Sequence, residues 1–128
     1  MRKLIGIATY TYTLLIVYLS LAKIILGILP KTIPHTDKWA HMLAYLGLST
    51  LWCLYVFYVK NYPATKVRVL LVFLIVVLFG AFMEFLQYSL TDYRSMDIYD
   101  VIANTIGSLC GVPLYHLVIK FLNKNEKL

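Results

Sequence analysis

Apolar residues fill four long stretches of this chain, separated by three short polar connections. The stretches run from about Leu4 to Leu29, Trp39 to Val59, Val67 to Leu90 and Tyr99 to Leu122, each near or above the roughly 20 residues a helix needs to cross a bilayer. The connections, about Pro30–Lys38, Lys60–Lys66 and Thr91–Ile98, carry the helix breakers Pro30, Pro34 and Pro63 in the first two. Loops this short make consecutive helices antiparallel neighbours. The pattern therefore predicts an all-α integral membrane protein, a four-transmembrane-helix bundle forming one domain over residues 1–128. Pro113 lies inside the fourth stretch, where it removes the bond to the carbonyl of Leu109 and predicts a kink.

Composition agrees with that reading: 61% of the residues are hydrophobic and 14% charged, well outside the range of an ordinary soluble domain. Arg2 and Lys3 precede the first stretch as in a secretory signal, but its apolar part exceeds the usual 7 to about 15 residues and its exit, Leu29-Pro30-Lys31, lacks a small-x-small cleavage pattern. It reads as a retained helix. Cys53 and Cys110 sit within apolar runs and read as buried small hydrophobes rather than a disulfide framework or metal site. The net charge of +6 forms no separate basic domain, which argues against nucleic acid as a partner. It reports topology instead. Eight basic residues (Arg2, Lys3, Lys60, Lys66, Arg68, Lys120, Lys124 and Lys127) fall at the two termini and second connection, against three (Lys31, Lys38 and Arg94) in the other connections. Both termini are therefore expected in the cytoplasm and the first and third loops outside.

Against this apolar background, polar groups recur at helical spacing. In the fourth stretch Asp97, Asp100, Asn104, Gly107 and Gly111 lie three and four residues apart, within an arc of roughly 80° at about 100° per residue. Gly80, Glu84, Gln87 and Thr91 repeat on one face of the third stretch, and Lys38, His41, Tyr45, Ser49 and Trp52 on one face of the second, with Asp37 a turn before His41. Each ionisable group costs at least about 2.5 kcal/mol near a bilayer centre, so such rows must face the protein interior or water. All occupy the same outer half of the predicted membrane span. If they face one another, they form a funnel open to the outside, made of Asp37, Lys38, His41, Glu84, Gln87, Arg94, Asp97, Asp100 and Asn104.

Several of these residues have ordinary structural uses. Ser95 or Asp97 can cap the fourth helix, with Asp100 completing an acidic first turn, and Thr36 or Asp37 can cap the second. Ala103, Gly107 and Gly111 form a small-residue packing face, while Gln87 and Asn104 suit interhelical hydrogen bonds worth about 0.6 kcal/mol each. Glu84 is harder to assign to structure alone, because a carboxyl roughly 9 Å inside the outer end, at about 1.5 Å per residue, must be neutral, paired or hydrated. Lys38, His41 and Arg94 are its available cations, with Lys23 expected to snorkel outward. His35 and His116 have no evident partners in the sequence.

Three pieces of this pattern resemble the VanZ-like family of small bacterial membrane proteins. They are Asp37-Lys38-x-x-His41-x-x-x-Tyr45, Glu84-x-x-Gln87, and Arg94-x-x-Asp97-x-x-Asp100-x-x-x-Asn104-x-x-Gly107-x-x-x-Gly111, together covering residues 37 to 111. The resemblance implies a single VanZ-like domain in the bacterial cytoplasmic membrane and an association with resistance to teicoplanin, a lipid-tailed glycopeptide that acts outside that membrane.

The leading expectation is thus a protein that binds an amphiphile, lipid headgroup or cell-wall-related ligand at the outer leaflet. Tyr45 joins the polar cluster; Lys38 and Arg94 would hold a phosphate or carboxylate, and the carboxylates and His41 would bind amines or move protons. Membrane lipids, a lipid-linked cell-wall precursor or a lipoglycopeptide are the expected partners, with no cofactor or resident metal. The alternatives are a membrane-embedded hydrolase or transferase, with Glu84 and His41 as acid and base and Asp97 and Asp100 as metal ligands, and a non-catalytic scaffold of envelope assembly.

Overall fold

The structure, a computed structural model, describes residues 1–22, 35–92 and 95–125. Its helices are α1 (Arg2–Leu21), α2 (Thr36–Cys53), α3 (Lys66–Leu90) and α4 (Ile98–Asn125). The end of α2 continues directly into a π-helical segment, Leu54–Val59. All four are long and apolar enough to cross a membrane, α2 being counted through Val59. That outcome follows from the sequence: where water is absent, a continuous apolar segment can satisfy its backbone only by bonding within itself.

The boundaries refine the expectation. The second helix begins at Thr36 rather than Trp39, which places Asp37 and Lys38 on its first turn rather than in a loop. His35 occupies the position before it in a left-handed conformation, with φ of 58°, and no side chain caps that end, so neither Thr36 nor Asp37 is its cap. Thr65 caps α3 through the backbone N–H of Arg68. The expected extension of the first helix to Leu29, and Lys23 with it, lies outside the described residues. α4 passes through Pro113 as a single helix.

The packing is inverted relative to a soluble bundle. Large apolar side chains such as Leu14, Ile75, Leu78, Phe82, Ile98, Leu109 and Phe121 are exposed around the outside, while Glu84, Gln87, Asp100, Asn104 and Ser108 are buried. Hydrocarbon accepts the first set without cost and makes the second set seek one another. Two apolar clusters fill the rest of the interior: Ile16, Tyr45, Leu48 and Val76 near mid-bundle, and Cys53, Leu54, Phe57, Val72 and Tyr115 toward the Lys60–Lys66 connection.

α2 and α4 make the most extensive pairing, and small residues make it close. A Cβ at Gly107 would lie 2.1 Å from the Met42 carbonyl oxygen, and one at Gly111 would lie 2.7 Å from that of Leu46. The Thr50 hydroxyl shares its hydrogen between the Leu46 carbonyl of its own helix at 2.8 Å and, across the seam, the Gly111 carbonyl at 3.1 Å. α1 is tied on by polar contacts. The Tyr12 hydroxyl donates to the Ala44 carbonyl at 3.1 Å, Thr9 to that of Leu51 at 3.3 Å, and the Trp52 indole to Thr13 at 3.2 Å. Trp52 therefore faces α1, together with Tyr10 and Tyr55, and does not continue the polar face of α2.

Candidate functional site

The antiparallel arrangement brings the first turns of α2 and α4 and the last turns of α3 to one end of the bundle. Three polar stripes meet there. Lys38 and His41 come from α2, Glu84 and Gln87 from α3, and Asp100 and Asn104 from α4, with Asp97 just before it. Gly80 makes the convergence fit: a Cβ there would meet the Tyr45 ring at 2.9 Å and the Asn104 side chain at 3.3 Å.

The outer layer is a lysine held by carboxylates. Lys38 Nζ lies 2.7 Å from Asp37 Oδ2, 2.5 Å from Asp97 Oδ2 and 2.6 Å from Asp100 Oδ1. Among the described residues, three carboxylates face one ammonium in this layer. Lys38 is thus engaged by acidic neighbours and not presented to an anion, which differs from its expected role as a phosphate or carboxylate anchor. Asp97 makes two contacts, one with each oxygen. Its Oδ1 accepts the Tyr99 N–H at 2.9 Å and caps α4, while Oδ2 meets Lys38. The Lys38 ammonium and the Tyr99 N–H hold its carboxyl below the usual carboxylate range.

The inner layer is centred on His41. Its Nδ1 stands 3.1 Å from Asn104 Oδ1 and 3.6 Å from Glu84 Oε1, and its Nε2 stands 3.7 Å from Asp100 Oδ2. Asp100 therefore joins the two layers, one oxygen toward Lys38 and the other toward His41. Exposure falls steadily inward, from 50% for the Asp37 side chain through 21% for Lys38 and 14% for His41 to 1% for Glu84. Tyr45 lies within the electrostatic reach of Glu84 at the floor. Gln87 is buried a turn away on α3, its carbonyl accepting the Thr91 hydroxyl.

The structure thus gathers Asp37, Lys38, His41, Tyr45, Glu84, Asp97, Asp100 and Asn104 at one place, with Gln87 beside them; Arg94 lies outside the described residues. Gly107 and Gly111 serve the α2–α4 seam below. Among the described residues two sets of side chains have metal-ligand spacing, His41–Glu84–Asp100 and Asp37–Asp97–Asp100, with the ligand atoms of each set within 4.8 Å of one another. The second set already surrounds the Lys38 ammonium.

Beside the polar cluster a groove of about 630 Å³ runs between α2 and α4. His35, Asp37, Lys38 and Asp97 line its polar part, and Trp39, Met42, Tyr99, Ile102, Ala103 and Ile106 its apolar part. In the sequence Trp39 and Tyr99 are only the first residues of the second and fourth apolar stretches, and His35 has no role. Met42 and Ile106 gave no signal except their positions flanking the two polar stripes. His116, also without a predicted partner, lies tilted at 53° against Tyr115 with ring centroids 4.8 Å apart, far from this site.

Four membrane-spanning helices with their polar side chains collected at one end define a multi-pass membrane protein built around an asymmetric internal polar site. The VanZ/LLP1 family model matches residues 7–120, and the chain belongs to that family. No curated protein and no solved structure gives a significant match.

Proposed function

We propose that this protein resides in the bacterial cytoplasmic membrane with the groove at the outer leaflet. There it binds an amphiphile carrying an amine-bearing headgroup, and so protects the cell from a lipid-tailed glycopeptide such as teicoplanin. The observation that carries this reading is the groove itself. Its apolar wall suits an acyl chain, and its mouth holds more carboxylate than ammonium, which favours a cationic over an anionic headgroup. The excess of basic residues at the termini and in the Lys60–Lys66 connection supports the outward orientation.

The test is susceptibility of a sensitive host to teicoplanin and vancomycin. It is measured with the wild type, with Ile106→Trp, which fills the groove, and with Asp97→Asn, at matched membrane abundance. Selective protection against teicoplanin by the wild type, lost in both equally abundant variants, supports the proposal. Absence of protection by the wild type removes the resistance role.

A second reading is favoured by one observation, the closeness of His41 to both Glu84 and Asp100. That grouping suits general acid–base chemistry in a membrane-embedded hydrolase or transferase acting on a lipid-linked substrate. Turnover by purified protein that vanishes in Glu84→Gln supports that reading, and full activity of the variant removes Glu84 as the acid.

A further inference from the structure

We propose that His41, Glu84 and Asp100 form a divalent-cation site in the floor of the polar cluster, taking Zn²⁺ in preference to Mn²⁺ or Mg²⁺. The site is distinct from the groove, whose lining includes none of these three residues.

The first support is geometric. A tetrahedral ion with bonds of about 2.1 Å sets its ligand atoms about 3.4 Å apart. Asp100 Oδ2 stands 3.7 Å from His41 Nε2, and one ligand atom from each of the three residues lies within 4.8 Å of the other two. The ring is also oriented for the task. Asn104 Oδ1 can only accept, so in the 3.1 Å contact His41 Nδ1–H is the donor and Nε2 holds the lone pair facing Asp100, while Glu84 Oε1 stands 3.6 Å from Nδ1 and would complete the site by turning toward Nε2. An imidazole fixed through its distal N–H by an amide oxygen is the usual outer support of a metal-binding histidine.

The second support is charge. Among the described residues, Asp37, Asp97 and Asp100 surround the Lys38 ammonium in the outer layer, while Glu84 and Asp100 flank the His41 ring in the inner one. Asp100 spends Oδ1 on that ammonium and presents Oδ2 to the inner layer, so the two oxygens can serve two cations at once. A divalent ion between Asp100 and Glu84 would place positive charge between two buried carboxylates, where burial makes their mutual repulsion strongest.

The third support is independent of the carboxylates. The Tyr45 hydroxyl and the Asn104 carboxamide nitrogen are buried at the same floor, their residues 2% and 1% exposed, with no hydrogen-bond partner among the described residues. Both can engage a water or hydroxide completing the coordination shell. One nitrogen with carboxylate oxygens suits a borderline first-row ion, and zinc outranks manganese and iron at such ligands.

The experiment uses the full-length protein, purified in detergent, stripped with a chelator and desalted. Zn²⁺ is then titrated, with Mg²⁺ and Mn²⁺ for comparison, while bound metal and thermal unfolding are measured. The expected result is one Zn²⁺ per chain and a raised Tm. Affinity should fall about 100-fold in His41→Ala and Glu84→Gln, at the upper end of what loss of an orienting partner alone would cause. Cys110→Ala, exposed and nearly three turns along α4 from Asp100, should bind as the wild type does. Folded wild type that takes up no Zn²⁺ and shows no Tm response overturns the proposal, as does folded Glu84→Gln with wild-type affinity. Should the variants not fold, zinc-edge absorption of the wild type decides. A nitrogen and oxygen shell supports the site, whereas a shell containing sulfur assigns the metal to cysteine and overturns it.

Discussion

Replacing Gly107 by alanine sets helix propensity against close packing, and the two effects predict opposite signs. Gly107 lies inside α4 without a positive φ, so propensity alone predicts that alanine stabilises by about 1 kcal/mol. Packing predicts the reverse. The added Cβ would stand 2.1 Å from the Met42 carbonyl oxygen, 2.9 Å from its carbon and 3.0 Å from Cα. Ordinary C···O contacts begin near 3.3 Å, so α2 must retreat by about 1 Å. The obstructing atoms are backbone, which no rotamer change can move aside, and overpacking of that kind costs about 3 kcal/mol, the upper end for one added carbon. Retreat also stretches the 3.1 Å contacts of His41 with Asn104 and of Thr50 with the Gly111 carbonyl, each worth about 0.6 kcal/mol between membrane helices. Set against the propensity gain, the net loss is about 3 kcal/mol, more than a hundredfold in the folding equilibrium. Reversible unfolding in mixed micelles, followed by Trp fluorescence and circular dichroism, reads this directly. Leu109→Ala, on the exposed side of the same helix, is the control and should change little. A Gly107→Ala protein as stable as the wild type, or more so, would refute the close α2–α4 seam and with it the geometry of the polar cluster above it.

Thr50→Val keeps the shape of a buried side chain but removes its donor to the Gly111 carbonyl, so it should cost about 0.6 kcal/mol in the same assay, far less than Gly107→Ala. The Asp97 carboxyl is held low in the folded state. Its contribution is therefore complete above the unfolded carboxylate pKa of about 3.9 and is lost as pH falls through the lower folded value. Acid titration of unfolding should show a steeper loss for the wild type than for Asp97→Asn in that window; parallel curves would mean that Lys38 and Asp97 are not coupled. Reporter domains fused to either terminus should report from the cytoplasm, because eight basic residues flank that side against three on the other. An external signal from either fusion would invert the proposed orientation of the groove.

The helices were legible because their signal is local. A run of apolar residues long enough to span a bilayer leaves the backbone few alternatives, and the four runs became four helices with ends displaced by a few residues where the two could be compared. Even small displacements mattered. Moving the start of α2 back to Thr36 put Asp37 and Lys38 on the helix. The polar faces were legible for the same reason: three- and four-residue spacing fixes which side chains share a side, and membrane energetics require that side to turn inward. That logic identified His41, Glu84, Asp100 and Asn104. It also misassigned Trp52, which shares the spacing but turns to α1, since a span surrounded by partners has more than one inward direction.

What only the tertiary structure decided is how the faces meet. The sequence by itself determined a membrane bundle with a polar end, and it named the residues at that end. It left open whether Lys38 waits for an anion or is taken up by Asp37, Asp97 and Asp100, because those contacts join residues as much as 62 positions apart, from Lys38 to Asp100. The groove between α2 and α4, the sharing of Asp100 between Lys38 and His41, and the seating of Gly107 on the Met42 carbonyl are likewise properties of helices in contact. Periodicity specifies the face a side chain occupies; the distance between two faces is set by packing, and the chemistry of this site depends on that distance.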